Sequence, residues 1–370
     1  MKKINYLLIL LILIASCKEK HDTEGRHIIN FNERKEIKLN WKHPQKFILL
    51  DNSSEDAFIG AINRVIIKND RVYILDHFRR GRNRVLCFDT DGNFIRRYGQ
   101  PGRGPGEHSR LYDFDVGPEG DVFLFCHMST KVIHLHENVS LINEYRFDFR
   151  ANGLKLLKQG EFLFSLANEN EHNHQFSVYC PNTKEMRNFF SFDGKDQTNR
   201  SIKRYTQPFQ GGFTAYTPVR DEFYIFNESG DLQEVFEFNF GKHTLPHRYK
   251  FDALTWENVS GNFFFLDATP VLINDFIIGE IRSVQDMSPY MFIYNTRDHE
   301  LFVDRIEVNN YSHKSLYPYL GVYNGHIINA LDLELFEASN EKESLPQHVT
   351  AHIKEGGVVI AFSLLHRTNP

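Results

Sequence analysis

Asp113 and Asp115, in the stretch DFDV, stand two residues apart, so on a strand both carboxylates project from one face. Paired carboxylates at a set separation across a cleft are the equipment of acid-base hydrolysis. The competing use of such a pair is to line a channel and accept hydrogen bonds there, and no sequence signal lifts these two above the chain's other acids. A second candidate is the loop Gly99 to Glu107, GQPGRGPGE, in which Gly102, Gly104 and Gly106 could turn backbone N–H groups toward an anion. No GK[ST] follows it, and Pro101 and Pro105 each lack an N–H. The loop therefore reads as a crossover whose glycines permit tight bends. In it Arg103 and Glu107 bond a neighbouring sheet, or Arg103 is presented to a ligand.

Metal chemistry has weaker support. His134 and His136 share a strand face, and His172 and His174 form a second pair in a polar stretch, but the sequence places no cysteine or carboxylate as a partner ligand for them. Asp89 to Asn93 lacks the third acid and the downstream glutamate of a calcium loop, so a plain hairpin accounts for it better. Cys87, Cys126 and Cys180 form no CxxC or CxxH spacing and read as buried thiols inside strands. No G-x-S-x-G or HExxH occurs, so the sequence assigns no catalytic residue, metal or cofactor.

The elements that would hold these residues are strands in a regular rhythm. Two apolar runs flank Asp91-Gly92, a dipeptide suited to a tight hairpin. Similar strand-turn-strand units follow around Asn138, Thr183, Gly230 and Thr296. Gly92 to Asn138 is 46 residues and Asn138 to Gly230 is 92, twice that spacing. A period of this size marks an all-β, six-bladed β-propeller of four-stranded antiparallel blades. The first three blades are expected over 59–98, 111–147 and 154–190, the fourth over 212–240 and the fifth over 263–308, with a short helix near 254–259. The sixth starts at Tyr319 and includes 326–331 and 357–365, with a helix at 333–339 capped by Asp332. It lacks a fourth strand, which Phe47 to Asp51 can supply by pairing with the C-terminal strand and closing the ring.

The N-terminus reads as a secretory signal: Lys2-Lys3, an apolar run from Leu7 to Ile14, then small residues before Cys17. The run IASC resembles the lipobox of bacterial lipoproteins, which implies cleavage before Cys17 and acylation of its thiol. This divides the chain into a signal at 1–16, an acylated cysteine with a flexible tether at 17–30, and the propeller at 31–370. The formal charge of −5 becomes −7 once Lys2 and Lys3 leave with the signal, which argues against nucleic acid as a partner. The 33 Phe and 16 Tyr suit strands that pack in the gaps between blades.

The stretch FDTDGNFIRRYGQPGRGPGEHSRLYDFDVGPEGDVFLF, Phe88 to Phe125, resembles the six-bladed β-propeller lipoproteins of Bacteroidetes, relatives of NHL-repeat propellers. VYILD at 72–76 and NFFFLD at 262–267 fit the same pattern. The resemblance implies a fold and an extracytoplasmic, lipid-anchored location at the outer membrane, periplasmic or surface-exposed. It supplies no catalytic set. The expected function is a ligand-binding or protein-interaction module that takes a glycan, a peptide or an envelope protein. Arg103, Glu107, Asp113 and Asp115 are its candidate binding residues, with the membrane as a partner through the lipid. The alternative is a hydrolase or lyase with its site at the mouth of the channel.

Overall fold

A computed structural model describes residues 25–37, 44–78, 82–167, 170–191, 205–217, 220–250, 259–305, 319–338 and 345–364. Three N-terminal strands come first: β1 (Arg26–Asn30), β2 (Lys35–Glu36) and β3 (Lys46–Leu50). Blade 1 is built from β4 (Ile62–Lys68), β5 (Arg71–Phe78), β6 (Arg82–Asp89) and β7 (Phe94–Tyr98). A short parallel pair, β8 (Gln100–Pro101) and β9 (Glu107–His108), leads into blade 2: β10 (Asp113–Val116), β11 (Val122–Cys126), β12 (Lys131–Leu135) and β13 (Leu141–Arg146).

Blade 3 has β14 (Ala151–Leu156), β15 (Phe162–Leu166), β16 (His174–Tyr179) and β17 (Met186–Ser191). Blade 4 has β18 (Thr206–Phe209), β19 (Gly212–Tyr216), β20 (Glu222–Asn227) and β21 (Leu232–Asn239). Blade 5 has β22 (Phe264–Leu266) and β23 (Val271–Ile273), both paired to β24 (Phe276–Ser283), then β25 (Pro289–Asn295) and β26 (Glu300–Arg305). Blade 6 has β27 (Tyr319–Tyr323), β28 (His326–Leu331), β29 (Val358–Leu364) and, as its outermost strand, β3.

The expected six-bladed ring is therefore the observed one, and its closure is the expected pairing. β3 runs antiparallel to β29 with Leu50 opposite Val358 and Lys46 opposite Phe362. Sharing one blade between the two ends of the chain leaves no open sheet at the junction. The expected helix in blade 6 is present at Leu333–Ala338, with Asp332 Oδ1 accepting from the Leu335 N–H at 2.8 Å, and a second helix, Gln347–Lys354, follows it. The helix expected near 254–259 falls almost wholly outside the described residues. The Asp91-Gly92 hairpin forms as expected, with Gly92 at φ +93° and Asp89 accepting from the N–H groups of Asp91 and Asn93.

One N-terminal expectation needs correction. Arg26–Asn30, assigned to the flexible tether, is a strand lying parallel to β21 on the rim of blade 4. β2 then lies parallel to β26 on the rim of blade 5. The cause is a short apolar signal inside a polar stretch: Ile29 and Phe31 enter the core between blades 4 and 5, where Phe31 packs on Phe240 and Phe264. With β3 in blade 6, the N-terminal segment forms a strap over three consecutive blades.

Each gap between blades holds its own apolar cluster. Tyr73, Leu75 and Tyr98 of blade 1 meet Phe114 and Leu124 of blade 2. Phe123 and Phe125 of blade 2 meet Phe162 and Phe164 of blade 3. Because a middle strand touches a neighbouring blade on both faces, β11 and β15 are buried at every position, VFLFC and FLFSL, rather than alternating. Cys87 and Cys126 are buried free thiols in these layers, and burial pushes them up to about 11 and about 12, while Cys180 is half-buried.

Candidate functional site at the channel mouth

The innermost strands of the blades surround the channel, and three of them carry charge where a core strand would be apolar: INRVIIK in β4, DFDV in β10 and ANGLKL in β14. Arg64 is the central group. Its guanidinium contacts Asp113 Oδ1 of blade 2 at 2.6 Å, the Leu154 carbonyl of blade 3 at 3.5 Å and Thr206 Oγ1 of blade 4 at 3.4 Å. One side chain from blade 1 thereby reaches three other blades. Burial opposes its charge, and Asp113 and Asp115 more than offset that, so Arg64 stays protonated.

Asp113 and Asp115 face this channel, as expected, but their oxygens are already occupied. Asp113 accepts from Arg64, from the Leu154 N–H at 2.9 Å and from the Phe114 N–H at 2.9 Å. Asp115 accepts from Lys155 Nζ at 2.6 Å, the Leu156 N–H at 2.8 Å and the Val116 N–H at 2.9 Å. Burial works against the Asp115 charge, yet Lys155 and then Arg64 outweigh it, and its pKa lies below the ordinary carboxylate value. Fixed donors of this kind use up the lone pairs that proton transfer would need. The pair stitches β10 to β14.

Where the inner strands end, the channel opens into a cavity of about 340 Å³. Its polar lining is Lys68, Asp115, Lys155, Lys158 and Glu228, and its apolar walls include Ile66, Leu156, Pro208 and Phe209. Lys68 Nζ donates to the Val116 carbonyl at 2.8 Å. Lys158 and Glu228 form a looser pair at 3.5 Å on the exposed rim. Blades 3 and 4 are joined there by the Lys158 N–H to the Glu228 carbonyl at 2.9 Å.

Arg103 and Glu107 lie elsewhere, on the crossover that leads into the start of β10. Glu107 turns back on its own loop, where Oε2 accepts from the Gly104 N–H at 2.7 Å; a Cβ at Gly102 would come within 2.0 Å of the same oxygen. The contact from this loop to blade 2 is made by the Gly106 N–H to Glu144 Oε1 at 2.9 Å. Arg103 is exposed and makes no hydrogen bond or ion pair among the described residues. The structure thus joins Asp115 to a cavity and leaves the loop pair apart from it. His134 is taken up by Asp121 and stacks on Phe123, while His136 accepts from the Asn138 N–H.

Sequence reading missed Arg64, Lys68, Lys155 and Lys158. The available signal was charge inside otherwise apolar inner strands of three successive blades, basic in the first and third and acidic in the second.

No curated protein matches the chain. Among solved structures, one described as an exported protein of Bacteroides fragilis superposes with a TM-score of 0.71 at 15% identity, over 92% of this chain and 100% of that one. A member of the DUF4221 family from Bacteroides vulgatus superposes with a TM-score of 0.51 at 9% identity, over 86% of this chain and 96% of that one. At these identities the likeness is one of fold, and it agrees with the resemblance to Bacteroidetes propellers. The family described as a domain of unknown function (DUF4934) matches residues 35–355, from the second strand of the strap to the end of the helices in blade 6, and the chain belongs to that family.

Proposed function

We propose that the protein is an extracytoplasmic propeller, lipid-anchored through Cys17, that acts as a ligand-binding module of the cell envelope with the channel-mouth cavity as its site. The observation that carries this reading is the cavity itself: a recess of about 340 Å³ with apolar walls and a few converging charges, the composition of small-molecule sites. The signal-like N-terminus and the exported structural neighbour support the location. A hydrolase or lyase is not favoured, because Asp113 and Asp115, the paired carboxylates on the inner strand, are committed to structural donors.

A thermal-shift screen of envelope solutes, covering glycans, peptides and small organic acids, tests the site. A solute that binds the native state raises the melting temperature. The expected result is a shift that is lost in Phe209→Ala, which removes an apolar wall, and in Lys158→Trp, which crowds the rim. A shift untouched by both changes would put the site elsewhere. Labelling cells with a clickable fatty acid and comparing wild type with Cys17→Ser tests the anchor independently.

A further inference from the structure

Charges along the channel are answered in turn: Arg64 by Asp113, Lys155 by Asp115. Lys68 breaks the series. It is half-buried at the cavity wall, and its only partner among the described residues is the Val116 carbonyl. A carbonyl dipole replaces part of the lost hydration of an ammonium but supplies no opposite charge. Burial lowers the Lys68 pKa; Asp115 opposes this and the neighbouring Lys155 adds to it, while Asp121 and Glu228 act more weakly in the same sense as Asp115. The half-buried ammonium lies in the wall of the cavity, held there by a carbonyl and by no direct ion pair among the described residues.

We propose that the cavity binds a small organic acid through its carboxylate, with Lys68 as the anchoring cation and Pro208 and Phe209 against the apolar face of the ligand. This rests on the reading of the cavity as a ligand site and names the chemistry of the ligand. The charge argues for an anion, since the lining carries three lysines against two acids. The same lining argues for a single charge. Asp115 lies in the wall beside Lys68, so a dianion would meet a carboxylate at close range, and among the described residues the lining holds no arginine fork to grip a phosphate in two places. The apolar part of the wall calls for a ligand with a ring or hydrocarbon face, and the volume sits at the small end of ligand sites.

The test is isothermal titration of the full chain with three probes, hippurate, N-acetylphenylalaninate and D-glucuronate. Each is set beside its neutral amide, and inorganic phosphate is titrated separately. At least one acid is expected to bind, with its amide weaker by about tenfold or more and phosphate weaker than the acid. Lys68→Met is expected to weaken that acid by about tenfold while leaving the melting temperature unchanged or higher, because it removes a desolvated charge. Lys68→Arg should retain binding and abolish the alkaline loss of affinity that wild type shows as Lys68 deprotonates. Binding of none of the acids, equal binding of acid and amide, preferred binding of phosphate, or an unchanged affinity in Lys68→Met would each overturn the proposal. Neutral probes that bind as well as acids and are lost in Phe209→Ala would leave the cavity a ligand site and remove only its preference for acids.

Discussion

Arg64 of blade 1 and Asp113 of blade 2 meet at 2.6 Å with side chains only 3% and 8% exposed, and the guanidinium extends past that contact to blades 3 and 4. Removing one member of a buried pair strands the other in a medium that solvates it poorly, at a cost of about 3–5 kcal/mol. Arg64→Met should lose about that much stability at pH 7 in urea melts. Burial raises the pKa of Asp113, and Arg64 is the main force holding it down. In the variant the folded pKa should rise further above the unfolded value of about 3.9, so the deficit is largest above the folded pKa and shrinks as pH falls toward 3.9. Full stability of Arg64→Met at pH 7 would show that the pair does not hold the blades.

Gly92 and Gly211 share a left-handed backbone, φ +93° and +95°, but differ in surroundings. A Cβ on Gly92 would come within 1.9 Å of the Leu49 carbonyl in the closing strand, whereas one on Gly211 meets nothing within 4 Å. Gly211→Ala should cost only the conformational penalty, about 1–2 kcal/mol. Gly92→Ala should cost clearly more, because the hairpin and β3 must separate. Denaturant titration of both variants decides this, and equal losses would mean the Gly92 turn can move away from β3 freely.

The strap is expected to be structural. Phe31 is 1% exposed between blades 4 and 5, so Phe31→Ala should cost about 3–5 kcal/mol. Ile28, two strand positions away from Asn30 and 58% exposed, should tolerate Ile28→Asp within about 0.5 kcal/mol. Calorimetry of the two variants gives the contrast; a negligible effect of Phe31→Ala would mean the strap is loosely held.

Acid should unfold the protein partly through Asp115. Its folded pKa is depressed, so the stability it contributes is complete above the unfolded value of about 3.9 and is lost as pH falls through the folded one. Asp231, held down first by its bond from Arg187, has the same sign. Stability measured against pH should therefore decline below about pH 4. Lys155→Met should be less stable than wild type at neutral pH and approach it in strong acid. A gap that stays constant with pH would show that Lys155 acts by packing alone.

Much of the ring was legible because turns leave local marks: Asp91-Gly92, Asn138 and Gly230 each close a hairpin at the expected spacing. The pairing of β3 with β29 could be inferred because blade 6 was visibly one strand short. β1 left no such mark, since a strand added in parallel on a rim needs no turn, and its partner β21 is remote in the chain. The site was hidden for a related reason. Asp113 and Asp115 could be placed on a channel face, yet whether they were free or saturated depended on Arg64, Leu154 and Lys155 from two other blades. Lys68 reads in sequence as an ordinary charge at a strand end; its significance comes from its place in the cavity wall and from Asp115 beside it being already paired with Lys155.

The strap also sets a timetable for assembly. Synthesis delivers the first three strands before anything they pair with: Arg26 waits for Val235, Lys35 for Phe302 and Leu50 for Val358, each more than 200 residues downstream. Blades 1 to 3 can complete themselves from consecutive hairpins, while the leading segment has to remain uncommitted until the tail arrives. Such late, long-range pairing slows folding, so the circle is sealed last, by the residues that were made first.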